Sequence, residues 1–422
     1  MLTSIVGINW GDEGKGRMVD LLSSDYDIIC RYQGGNNAGH TVVNDKGKFI
    51  LNLLPSGILR DSTVNVMGNG MVIDLEHLVG EMGRLTEKGI RISPENLKIS
   101  DKAIICMPYH KLMDCMEEER LADKKFGSTR RGIAPVYADK YMKKALRMED
   151  LLHLDDLAEK VHDIVEWKNI TVTGYGHEPI KAEDMMDWLR KFGTQLIPYI
   201  TDVSEYLYNA MEAGRNIMFE AQLGALRDID LGIYPYTSSS STIAAYAPIG
   251  AGIPGAKLTD TIGIMKAYST CVGEGPFTAE MFGDEAEALR KAGGEYGAAT
   301  GRPRRVGPFD IPASRYGVKV QGATEIALTK LDVLSYLDRI PVCVAYDVDG
   351  EKTVNFPTGE RLNRAKPVVE YLPGFGDVSK CRTWESLPEA AKDYVRYLEK
   401  AVGCKISYVS VGAGRDEYVK IG

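Results

Sequence analysis

Nowhere in this 422-residue chain do apolar residues run for the roughly 20 positions that a bilayer-crossing helix needs, which argues against a membrane-spanning protein. Cysteine is sparse: Cys30, Cys106, Cys115, Cys271, Cys343, Cys381 and Cys404 are scattered, odd in number and free of any C-x-x-C pair. That excludes a disulfide framework and a zinc ribbon, and points to free thiols in a reducing compartment. An excess of basic charge is missing too. Lys and Arg number 51 against 59 Asp and Glu, so the formal charge is −8, whereas a nucleic-acid face must neutralise phosphates. No charged leader precedes the first apolar run at Leu2, no tract is repetitive, and the run 238–242, SSSST, is too short for a linker. The expectation is a soluble cytoplasmic protein that binds neither membrane nor nucleic acid. Local basic clusters can still take small anionic ligands.

What is present is the composition of a globular protein, 44% hydrophobic and 26% charged. Short apolar runs at 2–8, 27–31, 63–67, 216–220, 261–266, 325–329, 341–346 and 406–411 read as strands. Helical patterns lie between them, such as Leu75, Leu78, Val79, Met82 and Leu85, with Asp74 as N-cap and Gly89 past the end. Alternating strands and helices predict an α/β fold with a mostly parallel sheet covered on both faces. The stretch 109–211 is richer in helical pattern and charge, and reads as a helical insertion beside the sheet.

Two glycine loops carry the first chemical signal. Residues 9–17, NWGDEGKGR, follow the first strand and precede a helix that includes 18–22, so backbone amides and Lys15 can face phosphate oxygens. This is not the usual P-loop, because Gly16 stands where a metal-binding hydroxyl would be. Asp12 beside a triphosphate is repulsive unless a cation bridges them or it takes a proton, which makes it a candidate magnesium ligand and general base. Residues 33–41, QGGNNAGHT, form a second loop rich in donors, and His40 can give a proton or stabilise developing negative charge there.

Two further clusters suit specific ligands. Thr329–Lys330–Leu331–Asp332 closes an apolar run as an [NT]-K-x-D sequence, whose carboxylate can accept from N1–H and the 2-amino group of guanine. Residues 300–305, TGRPRR, put three arginines in four positions, an arrangement suited to a shared carboxylate.

Together these motifs resemble the adenylosuccinate synthetase family, whose members carry W-G-D-E-G-K-G and Q-G-G-x-N-A-G-H-T near the N-terminus. The matching segments run from Trp10 to Arg415, nearly the whole chain. The resemblance implies one family-like domain over 1–422 with a large central sheet, helical insertion and smaller subdomains. It also implies a GTP-dependent ligase that joins L-aspartate to IMP through a 6-phosphoryl intermediate. By the same resemblance, Asp12 is the base toward N1, His40 the acid beside O6 and Lys15 a third catalytic group. Gly11, Gly14, Lys15, Gly16, Gly39, His40, Thr41, Lys330, Asp332, Ser410 and Gly412 would bind GTP, with Arg415 in the same late turn. Asp12, Asn37, Thr129, Arg131, Lys143, Gln222, Leu223, Ser238, Val272 and Arg302 would meet IMP. Thr300, Arg302 and Arg304 would take aspartate, and Asp12 with the Gly39 carbonyl would hold Mg²⁺. A homodimer is implied, with the Lys143 region reaching the neighbouring site.

Four positions depart from the family pattern. Leu223 stands where the family has a glutamine, with Gln222 one place early; Lys143 replaces an arginine, Ser238 a threonine, and Arg17 the second lysine of G-K-G-K. They leave room for a paralogue acting on a related purine nucleotide such as guanylate. A GTP-binding regulatory protein is a further alternative, but it does not explain the arginine loop, Asp12 or His40.

Overall fold

The computed structural model describes residues 1–44, 47–296, 301 and 303–421. All eight apolar runs are strands, and seven of them lie in one ten-stranded sheet. In chain order its strands are β1 (Leu2–Gly7), β2 (Ile28–Arg31), β3 (Val64–Met67), β4 (Leu97–Ser100), β5 (Ile200–Thr201), β6 (Ile217–Glu220), β7 (Asp260–Lys266), β8 (Glu325–Thr329), β9 (Ile406–Ser410) and β10 (Tyr418–Lys420). Across the sheet the order is β10-β9-β8-β7-β1-β6-β2-β3-β4-β5. Every pairing is parallel except β9 with β10. The eighth run, 341–346, falls in Arg339–Val348, which belongs to a separate small sheet with Phe309–Asp310, Glu351–Thr353 and Lys366–Pro373.

Both faces of the large sheet are covered, as a parallel sheet requires. Ile5 of β1 joins Met18 and Val19 under the helix Lys15–Leu22, while its neighbour Val6 packs with Val203 and Leu207 of the helix Val203–Glu212 on the opposite face. Further along, Ile326, Leu328, Ile406 and Val409 pack against Tyr394, Val395 and Leu398 of the helix Glu389–Val402. Leu75–Glu87 is a helix whose N-cap Asp74 accepts from the His77 amide. The 109–211 stretch holds the helices Pro108–Leu121, Ile133–Met142, Ala158–Gly174 and Ala182–Trp188, and contributes the two-residue edge strand β5. Because β1, β2, β6, β7 and β8 run the same way, the chain leaving each of them emerges at one edge of the sheet, where ligands bind in open parallel sheets.

Candidate functional site

The first glycine loop leaves β1 and is held shut by its own glutamate. Glu13 Oε1 accepts from the amides of Asn9 (3.1 Å) and Gly11 (2.8 Å), and Oε2 pairs with Lys15 Nζ at 2.7 Å. The Glu13 carbonyl accepts from Thr329 Oγ1 at the end of β8 (2.7 Å). Gly14, at φ 99°, caps the helix Lys15–Leu22, whose first amides supply the anion-binding end. Asp12 itself sits at φ 60°, a left-handed conformation that costs an L-residue about 1–2 kcal/mol. Leu223 (φ 64°) and Lys330 (φ 61°) share that conformation, so three strained non-glycine residues belong to the loops at this edge.

The second loop leaves β2 and lies against the first. A Cβ on Gly16 would stand 2.9 Å from His40 Cβ, so only glycine allows the histidine this close. His40 begins a hairpin, His40–Asn44 with Gly47–Leu51, and its Nδ1 lies 2.5 Å from Glu220 Oε1 at the end of β6. Glu220 also accepts from the Ser56 amide (2.8 Å) and hydroxyl (2.6 Å). Burial opposes charge on Glu220, but His40, Arg31 and Ser56 outweigh it and hold the carboxyl below its usual range. Burial pushes the His40 imidazole below its ordinary 6.5. An ionised Glu220 requires a proton on His40 Nδ1, which leaves the buried Nε2 without a partner.

In the loop after β8, Asp332 Oδ1 is buried without a partner, and burial raises its carboxyl above the ordinary range. Arg17 explains its own departure from lysine: its guanidinium donates to Ser410 Oγ, to the Gly414 carbonyl (2.6 Å) and to the Glu417 carbonyl (3.1 Å). The fork meets them with two nitrogens, where a lysine would offer one. The same turn is anchored again by Arg415, whose fork meets both oxygens of Asp20 at 2.8 Å. Lys330 Nζ lies 2.7 Å from Glu295 Oε1, and Arg304 bridges Glu295 (2.7 Å) and Asp12 (3.0 Å). Thr300 and Arg302 lie outside the described residues.

The loops at 227–238 and 271–275 are gathered by a residue that the sequence reading did not single out. Arg227 donates to the carbonyls of Tyr236, Val272 (2.6 Å) and Glu274 (3.2 Å) and to Cys271 Sγ (3.1 Å), tying the 227–238 loop to 271–275. Its own carbonyl accepts from the Ser238 amide at 2.8 Å. The loop at 126–131 lies alongside, with the Gly127 Cβ position 3.2 Å from Glu274 Cγ. Thr129, Arg131 and Lys143 are exposed, and Lys143 closes the helix Ile133–Met142 at φ 60°. Gln222 is fully buried: its Nε2 donates to the Gly35 carbonyl and to Asn37 Oδ1, both at 3.1 Å. A Cβ on Gly34 would collide with Gln222 Oε1 at 1.9 Å. The glutamine therefore clamps the second loop, and Leu223 packs beside Gly11.

Sequence reasoning thus found the loops but not Glu220 and Glu295, which lock them, nor the forks of Arg17 and Arg227. A glutamate ending an apolar strand at position 220 was the one available signal, since strand ends at this edge carry ligand groups.

Comparison with known proteins agrees with this geometry. A model of the adenylosuccinate synthetase family matches residues 4–419. Curated adenylosuccinate synthetases from Lactococcus lactis subsp. lactis (strain IL1403) and Streptococcus gordonii are 44% and 42% identical over 417 and 416 residues, each covering 98% of this chain and 96% of the relative. The fully ligated adenylosuccinate synthetase from Plasmodium falciparum superposes with a TM-score of 0.93 at 34% identity, covering 100% of this chain and 99% of that one. A cyanophage S-2L succinoaminodeoxyadenylate synthetase bound to dGMP and dATP shares the fold at a TM-score of 0.63 and 18% identity, covering 99% of this chain and 95% of that one. By the family match over nearly its whole length and by these identities, the chain belongs to the adenylosuccinate synthetase family.

Proposed function

We propose that this chain joins L-aspartate to IMP at the expense of GTP, giving adenylosuccinate, GDP and phosphate. The observation that carries the reading is the convergence of Asp12, His40, Lys15, Asp332 and Arg304 on one edge of the parallel sheet, through direct contacts between their loops. The 6-oxo group of IMP is a poor leaving group, so an amine cannot displace it unaided. Asp12 takes the N1 proton, O6 takes the γ-phosphoryl group, and GDP departs. The amine of aspartate then attacks C6, and O6 leaves as part of phosphate.

Each side chain has a distinct task. Lys15, now on Glu13, offsets charge on the transferring phosphoryl group. His40 faces O6 through Nε2, with Glu220 fixing the proton on Nδ1 and supporting a second proton when the anionic nucleotide is bound. Asp332 accepts from the guanine edge, while Gly11, Gly14, Gly16, Gly39, Thr41, Ser410 and Gly412 surround the rest of GTP. Asn37, Thr129, Arg131, Gln222, Leu223, Ser238, Val272 and Arg302 receive IMP. Thr300, Arg302 and Arg304 orient the aspartate carboxylates.

Magnesium fits the donor set available. The Asp12 carboxylate and the Gly39 carbonyl are hard oxygen ligands that would hold the ion, as Mg²⁺ prefers one or two protein oxygens beside phosphate. Among the described residues the one group of three His, Cys, Asp or Glu ligands is exposed at His162, Asp163 and Glu166, so these loops offer no all-protein cage. When bound, the ion neutralises phosphate charge. The protein acts as a homodimer in which Lys143 reaches the neighbour's IMP phosphate; exposed Tyr141 and Met142 beside it are consistent with a covered surface. A cytoplasmic location agrees with seven free cysteines, and no helix among the described residues is long and apolar enough to cross a membrane.

IMP labelled with heavy oxygen at O6 tests the chemistry. The label is expected in the released phosphate; unlabelled phosphate would exclude a 6-phosphoryl intermediate.

A further inference from the structure

Glu295 stands at the stem of the arginine loop, just past the helix Gly283–Gly293. Its carbonyl accepts from the Arg304 amide at 2.9 Å, and a bridge between Tyr296 and Pro303 closes the stem. The side chain is fully buried, yet three cations and a hydroxyl converge on it. Lys266 Nζ approaches both oxygens (3.0 and 3.1 Å), Tyr268 donates its hydroxyl, Lys330 Nζ lies 2.7 Å from Oε1, and Arg304 Nη1 lies 2.7 Å from Oε2. Neutralising Lys266 needs only one carboxylate, and Lys266 has Thr270 Oγ1 as a further partner at 2.8 Å. The convergence of Lys330 and Arg304 on the same group is therefore not explained by burial of Lys266. Lys330 belongs to the guanine end and Arg304 to the carboxylate end. Among the described residues, Glu295 is the one side chain that bonds both.

We propose that Glu295 is a positioning residue that couples the guanine end of the site to its carboxylate end, by holding Lys330 and Arg304 on a single carboxylate. The inference rests on the ligase reading above. Arg304 keeps Nη1 on Glu295 throughout, and exchanges Asp12 at Nη2 for a carboxylate of the substrate. Asp12 is thereby masked by Arg304 until the amino acid arrives. Any change in the hold of Lys330 when guanine binds alters the charge balance that fixes Arg304, so occupancy at one end changes affinity at the other, reciprocally.

The test uses the full-length enzyme with GTP, IMP, Mg²⁺ and L-aspartate. Glu295→Gln removes the charge that holds both cations. Lys330→Gln leaves Lys266, Tyr268 and Arg304 on Glu295, and serves as the second variant if the first fails to fold. Measured at saturating GTP, the aspartate KM is expected to rise about tenfold in Glu295→Gln and to move by roughly threefold or more in Lys330→Gln, with kcat changing less. A merely structural role would lower thermal stability and kcat without singling out the aspartate KM. Aspartate KM values within about twofold of wild type in the folded variants would overturn the coupling, because a lost charged bond has a larger effect. Failure of the wild-type enzyme to turn over would instead strike the ligase reading itself.

Discussion

The loops after β1, β2 and β8 are each tied down by charged side chains, Lys15 to Glu13, His40 to Glu220 and Lys330 to Glu295, whereas those at 227–238 and 271–275 are gathered chiefly by backbone carbonyls on Arg227. At the phosphate end each charge has a named counterpart: Lys15 with Glu13, His40 with Glu220, Arg304 with Asp12 and Glu295. On the proposed reading, substitution there removes either a reacting group or the partner that aims it. At the purine end the loops are shaped by main-chain atoms, which survive changes of side chain. The departures from the family pattern divide accordingly. On the proposed reading Leu223, Ser238 and Lys143 face IMP, while Arg17 lies beside the glycine loops, where the two nitrogens of its fork reach three acceptors.

The sharpest way to break this contrast is Asp12→Ala. Asp12 is partly exposed and its ion pair is with Arg304, so the fold should persist while kcat falls by about 10²–10⁴, the usual contribution of a general base. A variant with near-normal turnover would remove the charged end's claim to the chemistry. Asp332→Asn comes next. Loss of the carboxylate should raise the GTP KM by about 10–100-fold, from ~1–3 kcal/mol for an unpaired polar edge, and narrow the preference for GTP over ATP. Nucleotide competition in steady-state assays reads this directly.

The purine end should respond less. Gln222→Ala releases Asn37 and opens space beside Gly34, so the IMP KM is expected to rise by about tenfold through loss of two buried hydrogen bonds. Leu223→Gln, which restores the family residue, should change the IMP KM by no more than about threefold if main-chain contacts dominate there. A larger gain in IMP affinity, or a switch from GMP to IMP as preferred substrate, would show that the side chain at 223 sets specificity.

Legibility in the sequence followed the same division. The eight apolar runs are all strands because each buries consecutive residues, and the Asp74 cap lies where its side chain can reach the His77 amide. The strand Leu97–Ser100 and the edge strands Ile200–Thr201 and Tyr418–Lys420 escaped notice, the last two being too short to show a pattern. Their pairing is decided by the sheet already formed. The glycine loops were readable since their chemistry is local, and their glycines mark close approach. Glu220, Glu295 and Arg227 were not, because Glu220 meets His40, Glu295 meets Lys330 and Arg227 meets Val272 at 180, 35 and 45 residues' distance in the chain. Nothing near Glu295 in sequence announces Lys330.

The most direct measurement of the central claim is phosphate release from GTP with Mg²⁺, leaving out IMP and aspartate in turn. The account predicts release only with all three substrates present, accompanied by the ultraviolet change of a 6-amino purine. Release that continues without aspartate, or that runs with GMP and not with IMP, would contradict it.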